Sequence, residues 1–201
     1  MKTRFFLMLI LLIPAFSAMV FSNEPGDQTG RSRSRGLYLG LSASNFAGSE
    51  ASAADNKFIP GFSLGFYQNF MINHRYSLET GLLLTSKGSR LDAVGDLYMH
   101  QVLTYMEIPV LGECKLIRGE KANFFVTGGA YLGLKLLAFN EVGFPEEINS
   151  MDVGVDIGLG VRFRHFSYRV DVKRGFLCVD KGNPPVDYKN LTFSLLVGIS
   201  F

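Results

Sequence analysis

From residue 36 to the end of the chain, apolar side chains recur at every second position in eight separate segments. A period of two is the period of a β-strand, because successive side chains of a strand point to opposite faces. In the segment MDVGVDIGLGVRF, for example, Val153, Val155 and Ile157 alternate with acidic residues and glycines. No helical pattern of useful length interrupts the series. The sequence therefore predicts an all-β chain with eight strands.

The connections between these segments alternate in length. The short connections are residues 70–74, 118–121 and 164–165, and the long ones are 46–57, 88–101, 138–150 and 175–189. Up-and-down barrels of the outer membrane show this rhythm, with short periplasmic turns and longer outer loops. We therefore predict an eight-stranded antiparallel up-and-down transmembrane β-barrel over residues 36–201.

The direction of the apolar face distinguishes two kinds of barrel. In a soluble periplasmic lipid-binding barrel the apolar side chains would point inward, whereas in a membrane barrel they face lipid. The apolar positions here carry almost no charge. Aromatic residues also gather at the strand ends that the short turns join, as in an interfacial girdle. They are Tyr76, Phe124, Phe163, Phe166, Tyr168 and Phe201. Both features favour the membrane barrel.

The final segment, NLTFSLLVGISF, ends in a phenylalanine on an alternating strand. This pattern matches the C-terminal signature by which outer-membrane barrels are recognised for insertion. We predict that the barrel-insertion machinery recognises Phe193, Leu195, Val197, Ile199 and Phe201. The last strand should also pair with the first, because closure removes the two sheet edges.

The first 22 residues have the layout of a cleaved signal peptide. Lys2 and Arg4 precede an apolar run, and small residues follow it. Residues 23–35 lack an apolar period and are expected to form a flexible leader. Cleavage would leave 18 basic residues (20 minus 2) against 18 acidic ones, which gives no general attraction to nucleic acid. Cys114 and Cys178 are too few for a disulfide scaffold.

The opposite faces of the strands carry six acidic and six basic residues, which we call the lumen lattice. They are Glu79, Lys87, Glu107, Glu113, Lys115, Lys135, Asp152, Asp156, Arg162, Arg169, Asp171 and Lys173. Eight strands enclose a lumen that side chains can fill, and buried charges need partners. We therefore expect an ion-pair lattice that plugs the barrel. A polar pore or proton path is the alternative.

Several segments resemble the PorT-like outer-membrane β-barrel family. The resemblance lies in RYSLETGLLLTSKGS, YMEIPVL, VTGGAYLGLKL and the closing NLTFSLLVGISF, with GLYLGLSASNF and IPGFSLGFYQNF similar to the opening hairpin. It runs from about Arg35 to Phe201. It implies an eight-stranded barrel in the outer membrane of a Gram-negative cell. The family name is associated with protein export, but the family supplies no catalytic residues.

The sequence shows no catalytic, cofactor-binding or metal site. His74 and His165 fall in short turns and His100 in an outer loop, about a membrane thickness away. We expect a monomeric, non-enzymatic barrel with a structural or cell-surface interaction role. Its partners would be outer-membrane lipids and possible surface partners of the four long loops. An outer-membrane lipid-modifying enzyme and a soluble lipid-binding barrel are the alternatives.

Overall fold

The computed structural model describes residues 33–48, 56–92, 98–119, 122–140, 148–180 and 187–201. The predicted signal peptide and residues 23–32 of the predicted leader lie outside the described residues. Within the described ranges, no helix has the length and apolar character that a membrane span requires.

The described residues form eight long strands and one strand of two residues. The strands are β1 Arg33–Ala47, β2 Asn56–Lys57, β3 Ile59–Met71, β4 Tyr76–Asp92, β5 Tyr98–Arg118, β6 Asn123–Asn140, β7 Met151–Phe163, β8 Phe166–Gly175 and β9 Lys189–Ser200. The short strand β2 pairs with the outer end of β4.

The long strands form a closed antiparallel barrel. From β3 to β9 each long strand pairs with the next one in sequence. β1 pairs with β3 on one side and with β9 on the other, with Leu39 opposite Val197 in the second ladder. Closure satisfies the backbone groups that an edge strand would expose to lipid. The predicted eight-stranded barrel is confirmed.

The two faces of the wall differ as the alternation predicts. Leu39, Leu41 and Ile157 point away from the barrel and are 64%, 72% and 63% exposed, whereas Tyr38 and Leu196 point into the lumen and are fully buried. An apolar outer wall is unfavourable in water and favourable in lipid. The inward-facing alternative, a soluble barrel with an apolar cavity, is therefore wrong.

Three strands are longer than the sequence predicted. β4 has 17 residues, β5 has 21 and β6 has 18, whereas a tilted strand needs about 9–11 residues to cross the bilayer. Strand residues therefore occupy 88–92 and 98–101 of the predicted loop 88–101, and the prediction that His100 lies in a loop is wrong. β6 also continues to Asn140, into the segment predicted as the loop 138–150. β1 likewise starts at Arg33, three residues before the expected position.

The outer ends of β4, β5 and β6 form a wall that continues beyond the length of a membrane span. On β6, the outward positions from Phe124 to Leu134 cover 11 residues, and the strand then continues to Asn140. A register shift separates Thr104 from Tyr105 where β5 pairs with this part of β6. We call residues 87–92, 98–103 and 135–140 the outer wall.

Candidate functional site

The middle of the lumen is held by Arg169 on β8. This side chain is 1% exposed and forms ion pairs with Glu79 and with Asp171, the second with an Nε–Oδ1 distance of 2.8 Å. The Tyr38 hydroxyl donates to Glu79 Oε2 at 2.9 Å, and the guanidinium lies 4.8 Å from the centre of the Tyr38 ring. β1, β4 and β8 are thereby joined across the lumen, because these residues come from three separate strands.

A larger cluster lies nearer the outer end. Glu107 accepts ion pairs from Lys87 and Lys173, both at 2.6 Å, and Lys87 also pairs with Asp152 at 2.8 Å. Asp152 Oδ2 accepts further hydrogen bonds from the Tyr131 hydroxyl at 3.1 Å and from the Asn190 side-chain amide at 3.0 Å. Each cation therefore has a carboxylate within direct hydrogen-bonding distance, which buried charges require.

A third cluster closes the end near the short turns. Both terminal nitrogens of Arg162 donate to Glu113, at 2.9 and 2.8 Å, in the bidentate geometry that favours this pair. Asn69 donates to the same carboxylate at 3.2 Å. The guanidinium also lies 4.8 Å from the centre of the Phe125 ring.

The structure places the twelve predicted lumen residues at different depths. Nine are buried, and Lys115, Lys135 and Arg162 are half-buried. Lys135 donates to the Ile148 carbonyl at 2.7 Å, at the outer end of β6. Among the predicted bases, Lys87, Arg162, Arg169 and Lys173 form ion pairs with carboxylates of the lumen lattice.

Asp156 differs from the other buried carboxylates. It is fully buried, its nearest ion-pair partner is Lys173 Nζ at 3.9 Å, and neither of its oxygens accepts a hydrogen bond from a described residue. Thr127 on the neighbouring strand β6 and Ser194 on β9 also have buried hydroxyls that form no hydrogen bond with a described residue. The lumen lattice is therefore less completely paired around Asp156 than in the clusters around Arg169 and Glu107.

An apolar cluster covers the outer end of the lumen, which the sequence analysis did not foresee. Phe46, Leu103 and Tyr105 pack there with Ile148 and Val179. Tyr188 stacks on Phe46 with ring centres 5.6 Å apart. Ile148, Val179 and Tyr188 come from the segments predicted as the long loops 138–150 and 175–189. A backbone hydrogen bond from Asn149 N to Val179 O at 2.7 Å joins the two segments at the cluster. We call these six residues the apolar cap.

The remaining predicted positions lie on the outer surface or in turns. The five residues of the predicted insertion signal face outward from β9 or directly follow it. His74 and His165 are exposed in short turns. Cys114 and Cys178 are free thiols, and burial together with Asp187 raises the pKa of Cys178. Among the described residues, no group of three or more histidine, cysteine or acidic side chains is arranged to hold a metal ion.

A closed antiparallel barrel with an apolar outer wall and a charged, filled lumen defines an integral outer-membrane β-barrel. The sequence matches the family described as outer membrane protein beta-barrel domain over residues 21–178. The chain belongs to this family, and its place is therefore the bacterial outer membrane.

The chain is similar to several solved structures, and the first named here has the same fold. Neisserial surface protein A is 14% identical, with a TM-score of 0.51 and coverage of 86% of this chain and 99% of that one. Ail, the attachment invasion locus protein of Yersinia pestis, is 15% identical, with a TM-score of 0.47 and coverage of 85% and 99%. The outer membrane enzyme PagL is 15% identical, with a TM-score of 0.42 and coverage of 80% and 98%. The search of curated proteins found no match.

Proposed function

We propose that the protein is a non-enzymatic, non-conducting outer-membrane barrel with a structural and cell-surface interaction role. The observation that carries the proposal is the combination of a filled lumen with an extended outer wall. Nine of the twelve residues of the lumen lattice are buried, and the apolar cap covers the outer end of the lumen. A barrel of this kind transports nothing through its centre, so its outer surface is the place for its function.

The outer wall has the character of an interaction surface. Leu137 and Phe139 lie beyond the length of a membrane span on β6 and are 55% and 65% exposed. Exposed apolar patches on a protein surface often mark binding sites. We propose that a surface partner binds this wall together with the predicted loops 46–57, 138–150 and 175–189.

The finer assignments are also proposals. The segments YMEIPVL and RYSLETGLLLTSKGS support a place among PorT-like barrels. Lys2 and Arg4, the apolar run after them and the small residues that follow support a cleaved signal peptide. The alternating apolar residues of β9 support an insertion signal there. We propose a monomer that contacts outer-membrane lipids and the barrel-insertion machinery, and we assign it no protein-secretion role.

Cell adherence tests the surface role. The wild-type protein should increase autoaggregation of a heterologous Gram-negative host and its adherence to protein-coated and glycan-coated surfaces. The double variant Leu137→Asn, Phe139→Asn should abolish this increase. Ile72→Asn is the matched control, since Ile72 is a 66% exposed apolar residue in a short turn at the opposite end. If producing and non-producing cells adhere equally on every surface, the surface role is refuted.

A further inference from the structure

A groove of about 670 Å³ lies in the lipid-facing wall of β4–β7. It starts at Ile72 and Tyr76, at the short turn between β3 and β4, and continues past Cys114 and Val126 to Ile157. Ligand pockets in proteins commonly have volumes of about 300–1,000 Å³. The groove is therefore large enough for part of a small amphiphile, and it opens to the bilayer.

Two glycines create the depression. Gly112 and Gly128 face each other across β5 and β6, and Leu78 and Ile157 flank them on the neighbouring strands. β4 and β7 are three strand spacings apart, or roughly 14 Å. The outward surface between Leu78 and Ile157 therefore consists of bare backbone.

The fold itself does not require these glycines. A Cβ atom on Gly128 would meet nothing within 4 Å, and a Cβ atom on Gly112 would lie at an ordinary 3.6 Å from the Gly128 carbonyl oxygen. Lumen glycines are different, since a Cβ atom on Gly65 or Gly129 would lie 2.1 Å from a backbone oxygen. A larger apolar residue at Gly128 would fit the wall. Strand packing therefore does not account for the glycines that form the groove.

A basic residue directly precedes the groove residue Tyr76 in the chain. Arg75 is exposed in the short turn next to Tyr76, and its carbonyl accepts a hydrogen bond from Lys115 N at 2.9 Å. This bond fixes the backbone of Arg75 directly beyond the pair of Tyr76 and Cys114, which line this end of the groove. A guanidinium at the end of an apolar groove complements an anionic headgroup joined to a hydrocarbon chain.

We propose that the groove binds one acyl chain of a phospholipid from the periplasmic leaflet, with the lipid phosphate beside Arg75. The inference depends on the membrane orientation, in which the short turns face the periplasm. It does not depend on the surface role proposed above. A bound lipid would fill the space between Leu78 and Ile157 that the glycines leave open.

Lipid retention tests the proposal. We would titrate the purified barrel with phosphatidylglycerol in detergent and count the lipids retained by native mass spectrometry. The wild-type protein should hold one lipid, and Gly112→Leu with Gly128→Leu should lower its retention by roughly tenfold. Ala43→Leu, which adds an outward side chain on β1, should change nothing. Arg75→Gln should weaken the binding of phosphatidylglycerol but not of diacylglycerol.

A second measurement uses Cys114 and does not depend on the folding of the filled variant. In a Cys178→Ser background, phosphatidylglycerol should slow the alkylation of Cys114 by a maleimide severalfold. Cys178 is removed so that Cys114 is the one thiol of the protein. Equal retention by the wild-type and filled proteins, or unchanged alkylation of Cys114, would overturn the proposal. A change in oligomeric state on filling the groove would also overturn it, because a second copy would then be the occupant.

Discussion

Replacing Arg169 with methionine should destabilise the barrel by about 3–5 kcal/mol, because removal of one partner leaves buried charges uncompensated. The guanidinium has two carboxylate partners, Glu79 and Asp171, and all three side chains are at most 1% exposed. Hydrogen bonds to charged groups contribute about 1.5–3 kcal/mol each, so two of them give a similar total. Methionine has a comparable length and preserves much of the packing on Tyr38.

Reversible urea unfolding in phospholipid vesicles measures this change. The chain contains no tryptophan, so far-UV circular dichroism, supported by heat-modifiable migration on a gel, should follow the transition. The midpoint should fall while the slope stays constant, since the same surface is exposed on unfolding.

Two further variants separate the charge effect from packing. Arg169→Lys keeps the charge but lacks the planar fork, so it should lose less stability than Arg169→Met. Adding Glu79→Gln to Arg169→Met should recover part of the loss, with a coupling energy of about 0.5–3 kcal/mol. If Arg169→Met costs less than about 1 kcal/mol, or the two substitutions are additive, the lattice does not stabilise the barrel as argued.

Other substitutions test the remaining features by the same unfolding assay. Ile157→Arg should cost about 2–4 kcal/mol, because Ile157 faces lipid near the middle of the membrane, and normal insertion would contradict that placement. Asp156→Asn should lower the free energy of unfolding by less than about 1 kcal/mol, or raise it, because the Asp156 carboxylate lacks a close partner. A loss as large as that of Arg169→Met would contradict this prediction. Gly65→Ala should lower the free energy of unfolding by about 1–3 kcal/mol, because its Cβ would clash with the Leu82 carbonyl. Gly128→Ala should be neutral or stabilising, since its Cβ would meet no atom. Equal effects of the two substitutions would argue against the described wall geometry.

The sequence predicted the membrane-spanning wall well because inside and outside differ sharply there. Val155 and Ile157 face lipid while Asp152 and Asp156 face the lumen, so the pattern of β7 is visible in the residues themselves. In GSRLDAVGDLYMH the contrast disappears, because the outer wall stands beyond the bilayer and neither face must be uniformly apolar. The β-strand there is maintained by pairing between β4 and β5, which alternation does not reveal.

The interior pairing and the apolar cap depend on contacts far apart in sequence. Parity placed Lys87 and Asp152 in the lumen, but their pairing at 2.8 Å depends on barrel shear and side-chain length. Ile148 is an isolated apolar residue and Val179 ends a short apolar run without alternation, so no local pattern distinguishes them from loop residues. The backbone bond from Asn149 N to Val179 O, which joins the two segments, links residues 30 positions apart.

Single-channel recording on the purified protein in planar bilayers tests the central claim, a barrel filled by its own side chains. The ion-pair clusters and the apolar cap should prevent any steady current across a range of voltages and salt concentrations. Arg169→Met should remain non-conducting if it inserts, because the outer cluster around Glu107 and the apolar cap are still present. A stable open current of nanosiemens size through the wild-type barrel would contradict the account.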